Sequence, residues 1–296
     1  MRTLVFGSLN IDRTYTMTSI VKEGETVSAS NLQLFCGGKG LNQAVALARA
    51  GTDVSFAGAV GEDGGMLLEM LAENHIGAEH VLTLPGASGH AVIQVDEAGR
   101  NCIIILAGTN GQITEEHIRN TLADFAAGDL LVLQNEINNL PLLMKLAHEK
   151  GMKIAFNPSP MNAGALACDL KLVDYLFVNE TEGASLSGKQ EPSEIVEALL
   201  ENNPSLHIIL TLGSKGSVYA DRENVVTCGI YKVNAVDTTA AGDTFTGYFL
   251  HSLMVGEKPE DALWQAAVAS GISVTRKGAV PSIPTAYEVR RVASGK

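Results

Sequence analysis

Continuous apolar runs recur along the chain. "TLVFGSLN" (3–10), "DVSFAGAVG" (53–61), "DLLVLQNE" (129–136), "KIAFNPSP" (153–160), "YLFVNE" (175–180) and "HIILTLG" (207–213) show little polar alternation. This is the pattern of strands covered on both faces. Between them the apolar spacing turns helical, over 40–50, 64–74, 114–127, 139–150, 193–202, 242–255 and 259–275. Strand and helix alternating in this way predict an α/β protein built on a doubly wound, mostly parallel sheet.

Two segments break the pattern. Residues 12–35 are rich in Thr and Ser and lack helical spacing, and "HAVIQVDEAGRNCIIILAG" (90–108) reads as two strands joined by "DEAG". Residues 12–35 and 88–107 are assigned to a small β appendage within a single domain spanning 1–296. No internal repeat, low-complexity tract or long linker interrupts it. "GSLNID", "NPSP", "NETE" and "TLGSKG" each fall at the C-terminal end of an expected strand. In an open α/β sheet that edge binds ligands.

Composition narrows the function classes. The chain has 296 residues, of which 46% are hydrophobic, enough for one large α/β domain. A net charge of −12 disfavours nucleic acid and anionic membranes as partners. The four cysteines, Cys36, Cys102, Cys168 and Cys228, form no CxxC pair and read as reduced thiols. "MRTLVFGSLNID" is not a signal peptide, and no apolar run approaches the roughly 20 residues of a membrane span. The expectation is a cytoplasmic protein.

Familiar phosphate signatures are missing, with no GxxxxGK[ST] and no GxGxxG, and the zinc motif HExxH is absent too. One stretch remains, "VDTTAAGDTFTGYF" (236–249), where Ala240, Ala241, Gly242 and Asp243 lead into an apolar helix. A helix N-terminus offers unpaired N–H groups and a positive dipole end, and small residues let an anion approach. Asp243 in the first turn could accept a proton from a hydroxyl. An anion hole and a base in one turn suit phosphoryl transfer to an alcohol. Read alone, Asp243 is more simply a capping aspartate and the glycine a packing device.

That stretch does not stand alone. "FCGGKGLNQAVALARAG" (35–51), "NETE" (179–182), "TLGSKG" (211–216) and "TRKGAVPSIP" (275–284) surround it in order. Together they resemble the ribokinase-like family of sugar and nucleoside kinases, its ribose-phosphorylating members above all. The resemblance runs from "GSLNID" to "SIP" and includes both signatures of the family.

The resemblance implies ATP-dependent phosphorylation of a sugar, with the 5-hydroxyl of D-ribose as the expected acceptor. Another pentose, deoxyribose, a ketose or a nucleoside is the alternative. It makes Asp243 the base and the amides of Ala240, Ala241 and Gly242 the anion hole. Asn10, Asp12, Gly38, Asn42 and Glu136 match sugar-binding positions, and Ala91, Ile93 and Ile105 match a lid that closes over the sugar. Lys39 is read as structural within the glycine turn. Asn179 and Glu182 match positions that help place Mg²⁺-bound phosphates, and Thr211, Gly213, Ser214 and Gly216 form a turn against the nucleotide. Ala267 stands where relatives often carry Asn or His beside the adenine. Asp237, Thr239, Ser273, Arg276, Gly278 and Ser282 match a monovalent-cation site for K⁺. Val92, on the other face of the lid, points to a homodimer formed through the lid.

Overall fold

The computed structural model describes residues 1–293; 294–296, the last three residues of the expected domain, lie outside them. The strands, in chain order, are β1 (Thr3–Phe6), β2 (Asn10–Thr16), β3 (Asn31–Gly37), β4 (Val54–Val60), β5 (Gly77–Thr83), β6 (Gly89–Val95) and β7 (Asn101–Leu106), then β8 (Leu130–Gln134), β9 (Lys153–Asn157), β10 (Tyr175–Asn179), β11 (His207–Thr211), β12 (Ser217–Ala220) and β13 (Val225–Cys228). The helices are α1 (Lys39–Ala50), α2 (Gly65–Glu73), α3 (Glu115–Ala123), α4 (Leu140–Glu149), α5 (Ala163–Leu166), α6 (Glu180–Ser187), α7 (Pro192–Asn202), α8 (Ala241–Met254), α9 (Pro259–Ser273) and α10 (Ala286–Ala293).

The main sheet has the order β13-β12-β11-β10-β9-β8-β1-β4-β5. It is parallel from β5 to β11, and antiparallel only where β12 and β13 extend it. Successive residues of a strand face opposite sides. Val5 and Val132 accordingly pack with Leu41, Phe245 and Phe249 of α1 and α8, while Leu4, Phe6, Leu131 and Leu133 pack with Ile118, Leu143 and Leu199 of α3, α4 and α7. Helices on both faces make the sheet doubly wound, as the apolar runs predict. The expected α3 ends earlier, at Ala123, where Asp124 closes the last turn.

The chain leaves β1 toward β4 and β5, then returns to β8 on the other side of β1 and proceeds toward β11. Strand order therefore reverses between β1 and β8. The crevice beyond the carboxyl ends of those two strands is where ligands bind in such sheets. Asn10 follows β1 there and Glu136 follows β8.

A second sheet, β3-β2-β6-β7, is formed by the two segments that lack helical spacing. "DEAG" makes its hairpin turn: Asp96 Oδ1 accepts from the amides of Ala98 (3.0 Å) and Arg100 (2.9 Å), and Gly99 has a φ of 75°. Asp12 pairs across with Ala91, and Ala91 with Ile105, so these three share one face with Ile93. Arg13, Leu34, Val92 and Ile104 line up on the opposite face. Among the described residues no helix is long and apolar enough to cross a membrane.

Candidate active site

Two loops meet closely at the switch point. Gly38, the residue before α1, has a φ of 94°, and a side chain there would start 3.0 Å from the carbonyl and hydroxyl oxygens of Ser8. At Gly40 a Cβ would lie only 2.5 Å from the Ser8 nitrogen. Glycine at both positions lets "GGKG" lie against "GSLN". Ser8 Oγ accepts from the Gly40 amide (3.2 Å) and donates to Glu136 Oε2. The same Glu136 oxygen accepts from the Lys39 amide at 2.9 Å. Glu136 is thus fixed by the glycine turn.

Asn10 Oδ1 accepts from Asn110 Nδ2 at 2.7 Å, and Asn110 also holds the Leu9 amide (3.1 Å) and carbonyl (3.3 Å). This sets the amide of Asn10 so that Nδ2 remains its donor toward the crevice. Asn10, Glu136, Asn110 and Ile105 line a cleft of about 590 Å³. Asp12 lies on the lid face beside it. Gly37 leaves room for that carboxylate, since a Cβ there would lie 2.2 Å from Asp12 Oδ2. Burial first, and then the nearby Glu136, push the Asp12 carboxyl up to about 7.

Asp243 sits in the first turn of α8 and makes no capping bond. Its oxygens are taken by α1 instead: Asn42 Nδ2 donates to Oδ2 (3.0 Å) and Gln43 Nε2 to Oδ1 (2.9 Å). The two helix starts meet because one turn further on α1 and α8 nearly touch. A Cβ on Gly247 would lie 2.4 Å from Ala46 Cβ. Ala240, just before α8, has a φ of 58°, an uncommon conformation for a residue with a Cβ. The Ala241 amide donates to the Thr238 carbonyl (3.2 Å), whereas the Gly242 and Asp243 amides have no hydrogen-bond partner among the described residues. No Cβ contact crowds Gly242.

Asp243, Gly242, Lys39, Asn179, Glu182 and Thr211 share one cavity of about 110 Å³. The structure therefore gives Lys39 a place that its glycine-turn context does not suggest. Asp243 foremost holds its ammonium pKa above the usual lysine value. "NETE" forms a capping box on α6, with Asn179 Oδ1 accepting from the Glu182 amide (2.9 Å) and Glu182 Oε2 from the Asn179 amide (3.0 Å). Glu182 keeps its second oxygen. Gly213 and Ser214 are exposed in the short turn after β11, and Gly216 has a φ of 104° with the Cys228 carbonyl 2.1 Å from any Cβ. Ala267 is buried in the core between α9 and the sheet.

Asp237 ties the loop before α8 to the loop after α9. Oδ1 accepts from the Thr239 amide (2.9 Å) and hydroxyl (2.7 Å), and Oδ2 from the Gly278 amide (2.9 Å). Its carboxyl is held below the usual range by these donors against the cost of burial. The side chain of Arg276 pairs with Glu288 (2.5 Å), Ser282 Oγ donates to Ala279 O (2.8 Å), and Ser273 Oγ to Ser270 O (2.8 Å). The carbonyls of Thr239, Arg276 and Gly278 accept no hydrogen bond from the described residues. Such oxygens fit a cation held by backbone.

Sequence reasoning missed Ser8, Gln43, Asn110 and Gln134. A lone amide at the end of the wholly buried "LLVLQ" of β8 was the available signal for Gln134.

A buried carboxylate and bare amides at a helix start, set beside the switch point of a doubly wound sheet, suit transfer of a phosphoryl group to an alcohol. The chain matches the pfkB family of carbohydrate kinases over residues 2–286, and it belongs to that family. It is similar to the ribokinase of Haemophilus influenzae, 35% identical over 294 residues that cover 96% of this chain and 95% of that protein. The crystal structure of ribokinase from Thermotoga maritima covers all of both chains (100%) at 34% identity and a TM-score of 0.88. Ribokinase of Arabidopsis thaliana complexed with ribose and ATP matches at 30% identity and a TM-score of 0.85, covering 99% of this chain and 98% of that one. The protein is an ATP-dependent carbohydrate kinase of ribokinase type.

Proposed function

We propose that the protein transfers the γ-phosphate of ATP to the 5-hydroxyl of D-ribose. One observation carries the reading. The Asp243 carboxylate is held from behind by Asn42 and Gln43, while the Gly242 and Asp243 amides at the same helix start have no partner. The similarity to a ribokinase complexed with ribose and ATP supports the choice of sugar and nucleotide.

Asp243 accepts the hydroxyl proton as the hydroxyl oxygen bonds to the γ-phosphorus. The bond from that phosphorus to the bridging oxygen breaks, and ADP leaves with the electron pair. The amides of Ala240, Ala241 and Gly242 take the charge that develops on the transferring group. Ala241 must release Thr238 to do so. Lys39, in the same cavity, adds positive charge. Asn10, Asp12, Gly38, Asn42 and Glu136 hold the sugar hydroxyls. Asn42 Oδ1 is buried without a partner, an acceptor suited to a hydroxyl donor. Ala91, Ile93 and Ile105 close over the sugar and exclude water, the competing acceptor.

Asn179 and Glu182 would hold Mg²⁺ through water, and the ion would neutralise charge on the phosphates. The free carbonyls near Asp237 would hold K⁺, which would fix the loop before α8. Thr211, Gly213, Ser214 and Gly216 line the nucleotide side.

The test is ATP consumption with a panel of pentoses, deoxyribose, ketoses and nucleosides, with Mg²⁺ and K⁺ present. Ribose should give the highest kcat/KM and a product phosphorylated on its primary 5-hydroxyl by phosphorus NMR. Preference for another acceptor would replace ribose while leaving the chemistry intact.

A further inference from the structure

We propose that Gln43 and Gln134 act as an amide relay that positions the carboxylate of Asp243, an inference that rests on Asp243 being the base. The two side chains form a chain from the centre of the sheet to the reacting group. Gln134 Nε2 donates to Gln43 Oε1 (2.7 Å), and Gln43 Nε2 donates to Asp243 Oδ1 (2.9 Å). Neither glutamine touches the sugar-binding residues Asn10, Asp12 or Glu136 through any hydrogen bond. Both are completely buried, at 0% exposure.

The orientation of each amide is forced. An ionised carboxylate only accepts, so Gln43 must present its nitrogen to Asp243. Its oxygen then needs a donor in a fully buried place, and among the described residues the nitrogen of Gln134 supplies it. The far end of Gln134 has no such anchor. Its Oε1 is buried with no hydrogen-bond partner among the described residues, in space left open by Gly7, where a Cβ would lie 2.3 Å away. A buried orphan oxygen in an otherwise apolar strand costs stability, and a leucine or methionine would avoid that cost. Packing does not account for Gln134; a donor aimed at Gln43 does.

The relay fixes which way the Asp243 carboxylate faces. With Asn42 on Oδ2, both oxygens are held on the α1 side. The remaining lone pairs are left for the hydroxyl proton. Small displacements of a reacting group are costly in rate.

The substitution Gln134→Glu tests this without touching Asp243. A protonated glutamic acid can donate to Gln43 Oε1 as the amide does. An ionised one can only accept, so Gln43 turns its nitrogen toward residue 134 and its oxygen toward Asp243. Burial raises the pKa of the new carboxyl into the working pH range. The expected result is kcat near wild type at acid pH, falling by about tenfold to a hundredfold as pH rises through that titration. The sugar KM should stay within about threefold. A wild-type pH profile at full activity, or a loss independent of pH, overturns the relay. Should that variant fail to fold, Gln43→Met removes the donor at similar volume. It should lower kcat by about tenfold or more while calorimetry shows unchanged sugar and ATP binding. Unchanged kcat overturns the proposal. Asp243→Asn is measured alongside: full turnover in that variant refutes the base itself, and only then does the relay lose its object.

Discussion

Asp243 is notable for the bonds it does not make. It sits where a capping aspartate would sit, yet its oxygens face α1 instead of its own helix. The freed amides and the held carboxylate are then available together. Asp243→Asn keeps the shape and removes the base, so turnover should fall by about 10²–10⁴-fold with little change in ribose or ATP binding; steady-state kinetics and calorimetry check it. Asp12 makes a second case. Its carboxyl is pushed up to about 7 by burial and Glu136. Between its unfolded value near 3.8 and about 7, the folded protein keeps a proton that the unfolded chain has lost. Its contribution to stability is therefore present below that window and lost as pH rises through it. Asp12→Asn should melt higher than wild type at pH 8 without sugar, and at nearly the same temperature at pH 4. It should also bind ribose more weakly, by about 1–3 kcal/mol. A melting difference that does not change with pH would clear Asp12 of this role. Asn10, Asp12 and Asp243 were legible because polar residues at strand ends and helix starts stand out. Gln43 and Gln134 were not, because their role depends on a contact between α1, α8 and β8 that no local spacing announces. Lys39, read as structural within its glycine turn, shares a cavity with Asp243 of α8 and Glu182 of α6, neighbours that no local spacing announces.

At the scale of elements, six buried strands and seven helices could be read directly, because strands covered on both faces are nearly pure in apolar residues. Of the strands that escaped, β5 and β13 form the two edges of the main sheet, where "GAEHVLT" and "VVTC" hold only half-buried and exposed positions, and β12 is a buried strand of just four residues. "NETE" was read for the ligand it could hold, and the structure shows it also starting α6. The most consequential element is the loop before α8. Asp237 stitches it to the loop after α9, and free carbonyls of Thr239, Arg276 and Gly278 belong to those two loops. A cation in that cage would fix the direction of the anion-hole amides and add positive charge behind them. Activity should rise more with K⁺ than with Na⁺ at equal ionic strength and saturating Mg²⁺. Asp237→Ala should blunt that response and leave ribose binding nearly intact. Equal rates in K⁺, Na⁺ and a bulky organic cation would show that Asp237 serves only to join the loops.

The whole molecule leaves one sheet with a bare face. Across the small sheet, Leu34, Arg13, Val92 and Ile104 run side by side on the side away from Asp12. Leu32, Leu34, Ile104 and Leu106 are 49%, 52%, 60% and 54% exposed. Contiguous exposed aliphatic side chains on a monomer mark an interaction surface. The same sheet carries Ala91, Ile93 and Ile105 on its inner face, so whatever covers the outer face also steadies the lid. We propose that a second copy of the chain covers it, sheet against sheet. Charge opposes any loose contact, because two chains of −12 each repel, and an apolar patch large enough to overcome that repulsion must be well matched. The double substitution Leu34→Asp and Ile104→Asp places charge in the middle of the patch while leaving the inner face untouched. Sedimentation should show a wild-type dimer and a monomeric variant. The variant should keep its melting temperature, since both side chains are already in water in the single chain. Its KM for ribose should rise more than its KM for ATP if the small sheet closes over the sugar as proposed. A wild-type protein that sediments as a monomer at micromolar concentration, or a monomeric variant with an unchanged ribose KM, would separate the lid's closure from any partner chain.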